Sequence, residues 1–199
     1  MRSGRPEKTT HREVERVALG LFAQRGFAAT TVDDIAAALD ISRRTVFRYF
    51  ASKNDIVWGD FDWVIGRLRV LLRNASRDEP LMVALGRAVV ASNSYDERDL
   101  EQLRQRITLI TTVPALQAHS MLRYEAWRHA VAEFVAARLD LEPDDLTPQV
   151  IAHAALGTSM AAFARWTRSP GDVLEQVLAR AFAVLAGSYP DDMLERGGV

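Results

Sequence analysis

The chain has 199 residues, 48% of them apolar, a formal net charge of −1 and no cysteine. So many apolar residues can build a sizeable core without covalent staples, and the lack of cysteine excludes disulfides and finger-type zinc sites. The start, MRSGRPEKTTHREVERV, holds no apolar run of the signal-peptide kind. No stretch approaches the roughly 20 apolar residues of a membrane helix, so the expectation is a cytoplasmic protein with no membrane partner.

The near-neutral total hides an asymmetry. Residues 1–53 carry ten basic and six acidic side chains, an excess of +4, whereas residues 54–199 carry 15 basic and 20 acidic ones, a balance of −5. A basic head on an acidic body points to phosphate contact through the head alone.

The first ten residues, polar and basic with Gly4 and Pro6, read as a flexible arm whose Arg2 and Arg5 suit a minor groove. A helix over 11–25 follows, with Val14, Val17, Ala18, Leu21 and Phe22 on one face. Gly26 stands where a left-handed C-cap belongs, and Phe27 folds back onto Phe22. Thr31 and Asp34 form a capping-box pattern, after which Ile35, Ala36 and Leu39 recur at helical spacing. The break at Asp40-Ile41 is followed by Ser42 as the next N-cap and by Val46, Phe47 and Phe50 as an apolar stripe assigned to the core. Two short helices joined by a tight turn are the helix-turn-helix shape, whose second helix fits a DNA major groove.

Ser52-Lys-Asn-Asp55 starts a fourth helix expected to run to about Asn74. Five more helices are expected near 80–94, 96–110, 114–140, 147–168 and 172–187, separated by proline- and acid-rich breaks. No strand pattern or internal repeat stands out. The fold class is therefore all-α, with about nine helices. Residues 1–53 form a helix-turn-helix DNA-binding head with its basic arm, and 54–199 a larger helical ligand-binding and dimerisation body. In the last two helices, Val150, Ile151, Ala154, Ala155, Gly157, Thr158, Ala161 and Ala162 give a small-residue face and Val173 to Leu185 a broad apolar one. Such a pair suits a four-helix homodimer interface, and equally the completion of one subunit's core.

Arg43, Arg44 and Thr45 lie in the first turn of the recognition helix, the end that reaches base edges. Arginine bonds guanine bidentately and the threonine methyl touches thymine, although Arg44 serves equally well as a phosphate clamp. Arg48 and Tyr49, one turn on, suit the DNA backbone, and Phe47 can graze it. Lys53 begins the fourth helix, where dipole and ammonium both favour a phosphate, and Thr31 offers its hydroxyl and helix-start N–H groups in the same way.

These residues carry a family likeness. Arg25-Gly26-Phe27, ATTVDDIA, ISRRTVFRYF and SKNDI recur in order and at the spacing that resembles the TetR-type repressors, over about a quarter of the chain. SKNDIVWGDFD also looks like the mycofactocin-associated branch of that family. Three positions depart from the pattern: Asp40 replaces the turn glycine, Phe47 replaces a tyrosine, and Arg44 replaces a small residue. The resemblance implies a repressor that binds palindromic double-stranded operator DNA as a homodimer and is released by a small molecule held in the body. Trp58, Phe61, Leu103, Ile107, Tyr124 and Trp127 are then candidates to line an effector pocket, with ordinary core as the competing role. No carboxylate cluster and no concentrated basic site is visible in the body, so a mainly apolar effector, a fatty acyl chain or its coenzyme A thioester, fits best.

Nothing points to an enzyme or to a cofactor. The four histidines have no metal-ligand spacing, and no nucleophile-elbow, P-loop or dinucleotide-binding pattern is present. The competing class is a helical interaction protein whose basic head binds a protein partner or an anionic surface.

Overall fold

Side-chain caps set where the early helices begin. Thr10 accepts a hydrogen bond from the Glu13 N–H, Thr31 from Asp34, Ser42 from Thr45, Ser52 from Asp55 and Asp60 from Trp63. Each satisfies a donor that the first turn of a helix leaves without a partner. The computed structural model describes residues 10–188, so Arg2 and Arg5 lie outside the described residues. Within them the chain forms α1 His11–Arg25, α2 Val32–Ala38, α3 Arg43–Tyr49, α4 Lys53–Trp58, α5 Phe61–Arg73, α6 Leu81–Ser92, α7 Glu97–Thr112, α8 Pro114–Leu139, α9 Leu146–Arg168 and α10 Leu174–Ser188. The all-α class is as expected, and no strand occurs among the described residues.

One element departs from the sequence reading. The helix expected over 52–74 is two helices, broken at Gly59, whose φ of +54° and ψ of −137° suit glycine alone. Asp60 then caps α5. At Gly26 the amide donates to the Phe22 carbonyl and the Phe22 and Phe27 rings meet at 5.0 Å, as expected, but φ +85° with ψ 150° is an extended positive-φ conformation that suits glycine and not the left-handed helical one expected.

The contacts divide the chain into two compact units. One holds the described residues up to Gly59 together with Asp99–Gln117; the other holds Asp60–Arg98 and the described residues from Ala118 onward. In the first, α1 packs on α2 and α4, and α2 on α3, around buried Val14, Leu19, Phe22, Ile35, Val46, Phe50 and Ile56. In the second, α10 packs on α9 and α6, and α6 on α5, around Leu68, Leu85, Ile151, Trp166, Leu178 and Phe182. The small-residue face of α9 is split: Ile151, Ala155 and Ala162 are core, whereas Val150, Gly157 and Ala161 are exposed.

Candidate nucleic-acid interface

The turn between α2 and α3 fixes the reading helix. Thr31 and Asp34 form a complete capping box: the Thr31 N–H and hydroxyl both donate to the Asp34 carboxylate, and the Asp34 N–H donates back to the Thr31 oxygen. Those bonds, the hydroxyl's first and the amide's second, hold the Asp34 carboxyl below its usual range, with Arg25 adding to the effect. At the far end Asp40 takes φ +51°, the Ile41 N–H donates to the Ala36 carbonyl and the Asp40 N–H to that of Ala37. This is a Schellman closure with aspartate in the place glycine usually fills; a short polar side chain tolerates that region better than most.

Helix α3 hangs from two buried residues. Val46 and Phe50 point into the bundle, which leaves Arg43, Arg44, Phe47 and Arg48 exposed and Thr45 and Tyr49 half-buried. Phe47, expected in the core, is 40% exposed, because it lies one position round the helix from the Val46 anchor. Its ring instead carries the Arg43 guanidinium at 5.4 Å, and Arg43 also reaches Asp33 at 3.3 Å. Arg48 lies over the Tyr49 ring at 5.0 Å and donates to its hydroxyl at 3.2 Å. The Thr45 and Ser42 hydroxyls share a hydrogen bond of 2.9 Å.

Lys53 does more than the sequence suggests. Its ammonium donates to the Phe27 and Thr30 carbonyls at 2.8 and 3.0 Å and sits 4.2 Å from the Phe27 ring centre. Burial pushes its pKa below the usual lysine value. Two of its three donors thus tie the start of α4 to the loop before α2.

Further in lies a group that the sequence reading missed. Glu15 of α1 is buried and pairs with Arg106 of α7; Gln102 donates to the same carboxylate at 3.4 Å, and Arg106 donates to the Trp58 carbonyl at 3.4 Å. Desolvation pushes the Arg106 pKa down to about 10, which still leaves it cationic at neutral pH. Gly59 makes room for this pair, since a Cβ there would stand 2.6 Å from an Arg106 nitrogen and 2.7 Å from a Glu15 oxygen. One signal was available: Glu15 interrupts the apolar stripe of Val14, Ala18, Leu19 and Phe22, and a carboxylate there needs a cation.

The six effector candidates fall in both units. Trp58, Leu103 and Ile107 belong to the first, the initial two buried and Ile107 half-buried. Phe61, Tyr124 and Trp127 belong to the second, with only Trp127 buried. Among the described residues no group of side chains is arranged to hold a metal ion, and no helix is long and apolar enough to cross a membrane.

Comparison with known proteins bears on this geometry directly. Residues 16–57, which contain the caps and the reading helix, match the family of bacterial regulatory proteins of the tetR type, and residues 79–190 match the MftR C-terminal domain. The chain belongs to the TetR family of transcriptional regulators. A protein of Mycobacterium tuberculosis named as the mycofactocin biosynthesis transcriptional regulator MftR is 42% identical over 184 residues, 92% of this chain and 93% of that one. Two solved TetR-fold structures align over most of both chains. The ketosteroid regulator KstR2 of Mycobacterium tuberculosis has a TM-score of 0.55 at 20% identity, covering 92% of this chain and 95% of its own. Thermus thermophilus FadR, solved with lauroyl-CoA, has 0.58 at 21%, covering 91% and 96%. This TetR regulator is therefore a DNA-binding protein of transcription control and not an enzyme.

Proposed function

We propose that the protein is a repressor that binds a palindromic operator as a homodimer and is released by a mainly apolar effector. The observation that carries the first part is α3: a capped helix seated on Val46 and Phe50 that turns Arg43, Arg44 and Phe47 outward at its first turns. Arg43, Arg44 and Thr45 read base edges, Phe47 grazes the groove wall, and Arg48, Tyr49, Lys53 and Thr31 hold phosphates. In function, residues 1–53 form the DNA-reading head and 54–199 the sensing and dimerising body. The twin subunit joins through α9 and α10, where Val150, Met160 and Val184 are exposed apolar residues. A regulator of chromosomal genes works in the cytoplasm, and the 42% relative suggests mycofactocin biosynthesis genes as those under control.

The effector is a fatty acyl chain or its coenzyme A thioester, a reading supported by the lauroyl-CoA bound in Thermus thermophilus FadR. Leu103 and Ile107, two of the candidate lining residues, lie on α7 beside Arg106. A ligand that displaces α7 would move Arg106 and, through Glu15, the first helix of the DNA-reading bundle. The test is a gel-shift series on DNA upstream of the protein's own gene and of mycofactocin genes, with and without lauroyl-CoA. Retardation of one fragment that lauroyl-CoA abolishes is expected; retardation of every fragment alike would return the reading to a basic head with no specific site.

A further inference from the structure

The sequence shows no concentrated basic site in the acidic body, yet the fold assembles one. A cleft of about 600 Å³ in the second unit is bordered by Arg69, Arg73, Arg77 and Arg138, with Leu72 and Phe134 among its apolar walls. Arg69 and Arg73 stand one turn apart on α5, Arg77 lies in the loop after it, and Arg138 is in the last turn of α8. Glu133 is the one carboxylate on the lining, against four guanidinium groups.

The arginines are not equally occupied. Arg138 donates to the carbonyls of Ser76, Arg77 and Glu79, which pins the loop carrying Arg77, and its guanidinium stands 5.7 Å from the Phe134 ring centre. These acceptors are neutral carbonyls; outside the lining, the Glu79 carboxylate also feels the Arg138 charge. Arg69 bonds Glu133 at 3.3 Å, and Glu133 also faces His129 at 3.3 Å. Arg73 and Arg77 are exposed and have no carboxylate partner among the described residues. Positions at helix C-termini account for Arg73 and Arg138 singly, because the dipole there favours a cation. They do not account for Arg69 or Arg77, nor for a concave site in the size range of small-molecule pockets.

We propose that this cleft is a binding site for a small phosphate-bearing molecule with a flat or apolar part, of the nucleotide type, separate from the effector pocket. Arg73 and Arg77 take the phosphate oxygens in the bidentate manner that guanidinium favours, and the outer face of the Arg138 guanidinium, backed by the buried Phe134 ring, receives the flat part. The concave shape selects a small ligand over a duplex or a protein surface.

Calorimetric titration of the full-length protein with ADP, inorganic pyrophosphate and adenosine tests this. ADP is expected to bind, pyrophosphate to bind more weakly, and adenosine to give no heat. Replacing both arginines (Arg73→Gln with Arg77→Gln) should weaken ADP at least about tenfold. Glu133→Gln should tighten it several-fold by removing the one carboxylate and freeing Arg69, a gain that misfolding cannot imitate. No ADP binding up to about 5 mM, adenosine binding as well as ADP, or affinity indifferent to both sets of substitutions would each overturn the site. None of these outcomes depends on whether lauroyl-CoA releases DNA.

Discussion

Arg43 has competing partners, and magnitudes decide between them. Its pair with Asp33 lies between side chains 60% and 67% exposed, a class of ion pair worth at most about 1 kcal/mol. A bidentate bond to guanine contributes about 1–3 kcal/mol of discrimination, so on the proposed reading a guanine would displace Asp33. Arg43→Ala is expected to cost about 1–3 kcal/mol at one base pair and to relax specificity there, read by competition with single-base variants of the operator. Lys53 makes a different prediction, because its ammonium already bonds two carbonyls of the loop before α2. Lys53→Ala should lower the thermal stability of the protein and also reduce the slope of log affinity against log salt by about 1. Lost stability with an unchanged slope would leave Lys53 a structural role alone.

At the scale of elements, the tie between α1 and α7 is the consequential one. Glu15 and Arg106 side chains are 9% and 18% exposed, so removing one partner strands a buried charge. Glu15→Ala should destabilise the protein by about 3 kcal/mol in chemical denaturation. Gly59→Ala should cost more than about 1 kcal/mol, since the new Cβ would meet both members of the pair at a positive φ. The same elements show how far a sequence can be read. Caps and turns are local, so Thr31, Ser42 and Ser52 disclosed the starts of α2, α3 and α4 to the residue, and Asp40 the close of α2. The break at Gly59 had a local signal, a glycine followed by the Asp60 cap of α5, whereas the reason glycine is required there, an arginine 47 positions further along the chain, was hidden. Phe47 was misassigned for a related reason: periodicity gave a stripe wide enough for three apolar residues, while packing buried only Val46 and Phe50. The arginine cleft escaped notice because its four residues come from two distant segments.

At the scale of the whole molecule, the proposed function has one head read one half-site, and affinity for a palindrome then requires two of them about 34–36 Å apart or a multiple of that. The proposed twin interface on α9 and α10 offers a test that leaves the head untouched. Met160 is 43% exposed, so Met160→Glu should preserve helicity while shifting sedimentation from dimer toward monomer and weakening operator binding. The central claim, that a TetR regulator reads a defined sequence through α3, is tested most directly by fluorescence anisotropy on the retarded upstream fragment and a scrambled fragment of equal length across a salt series. Affinity for the native fragment is expected to be higher by at least about 10³, a margin that Arg43→Ala narrows, with log affinity for both fragments falling linearly in log salt. Equal affinity for the two fragments at every salt concentration would contradict that claim.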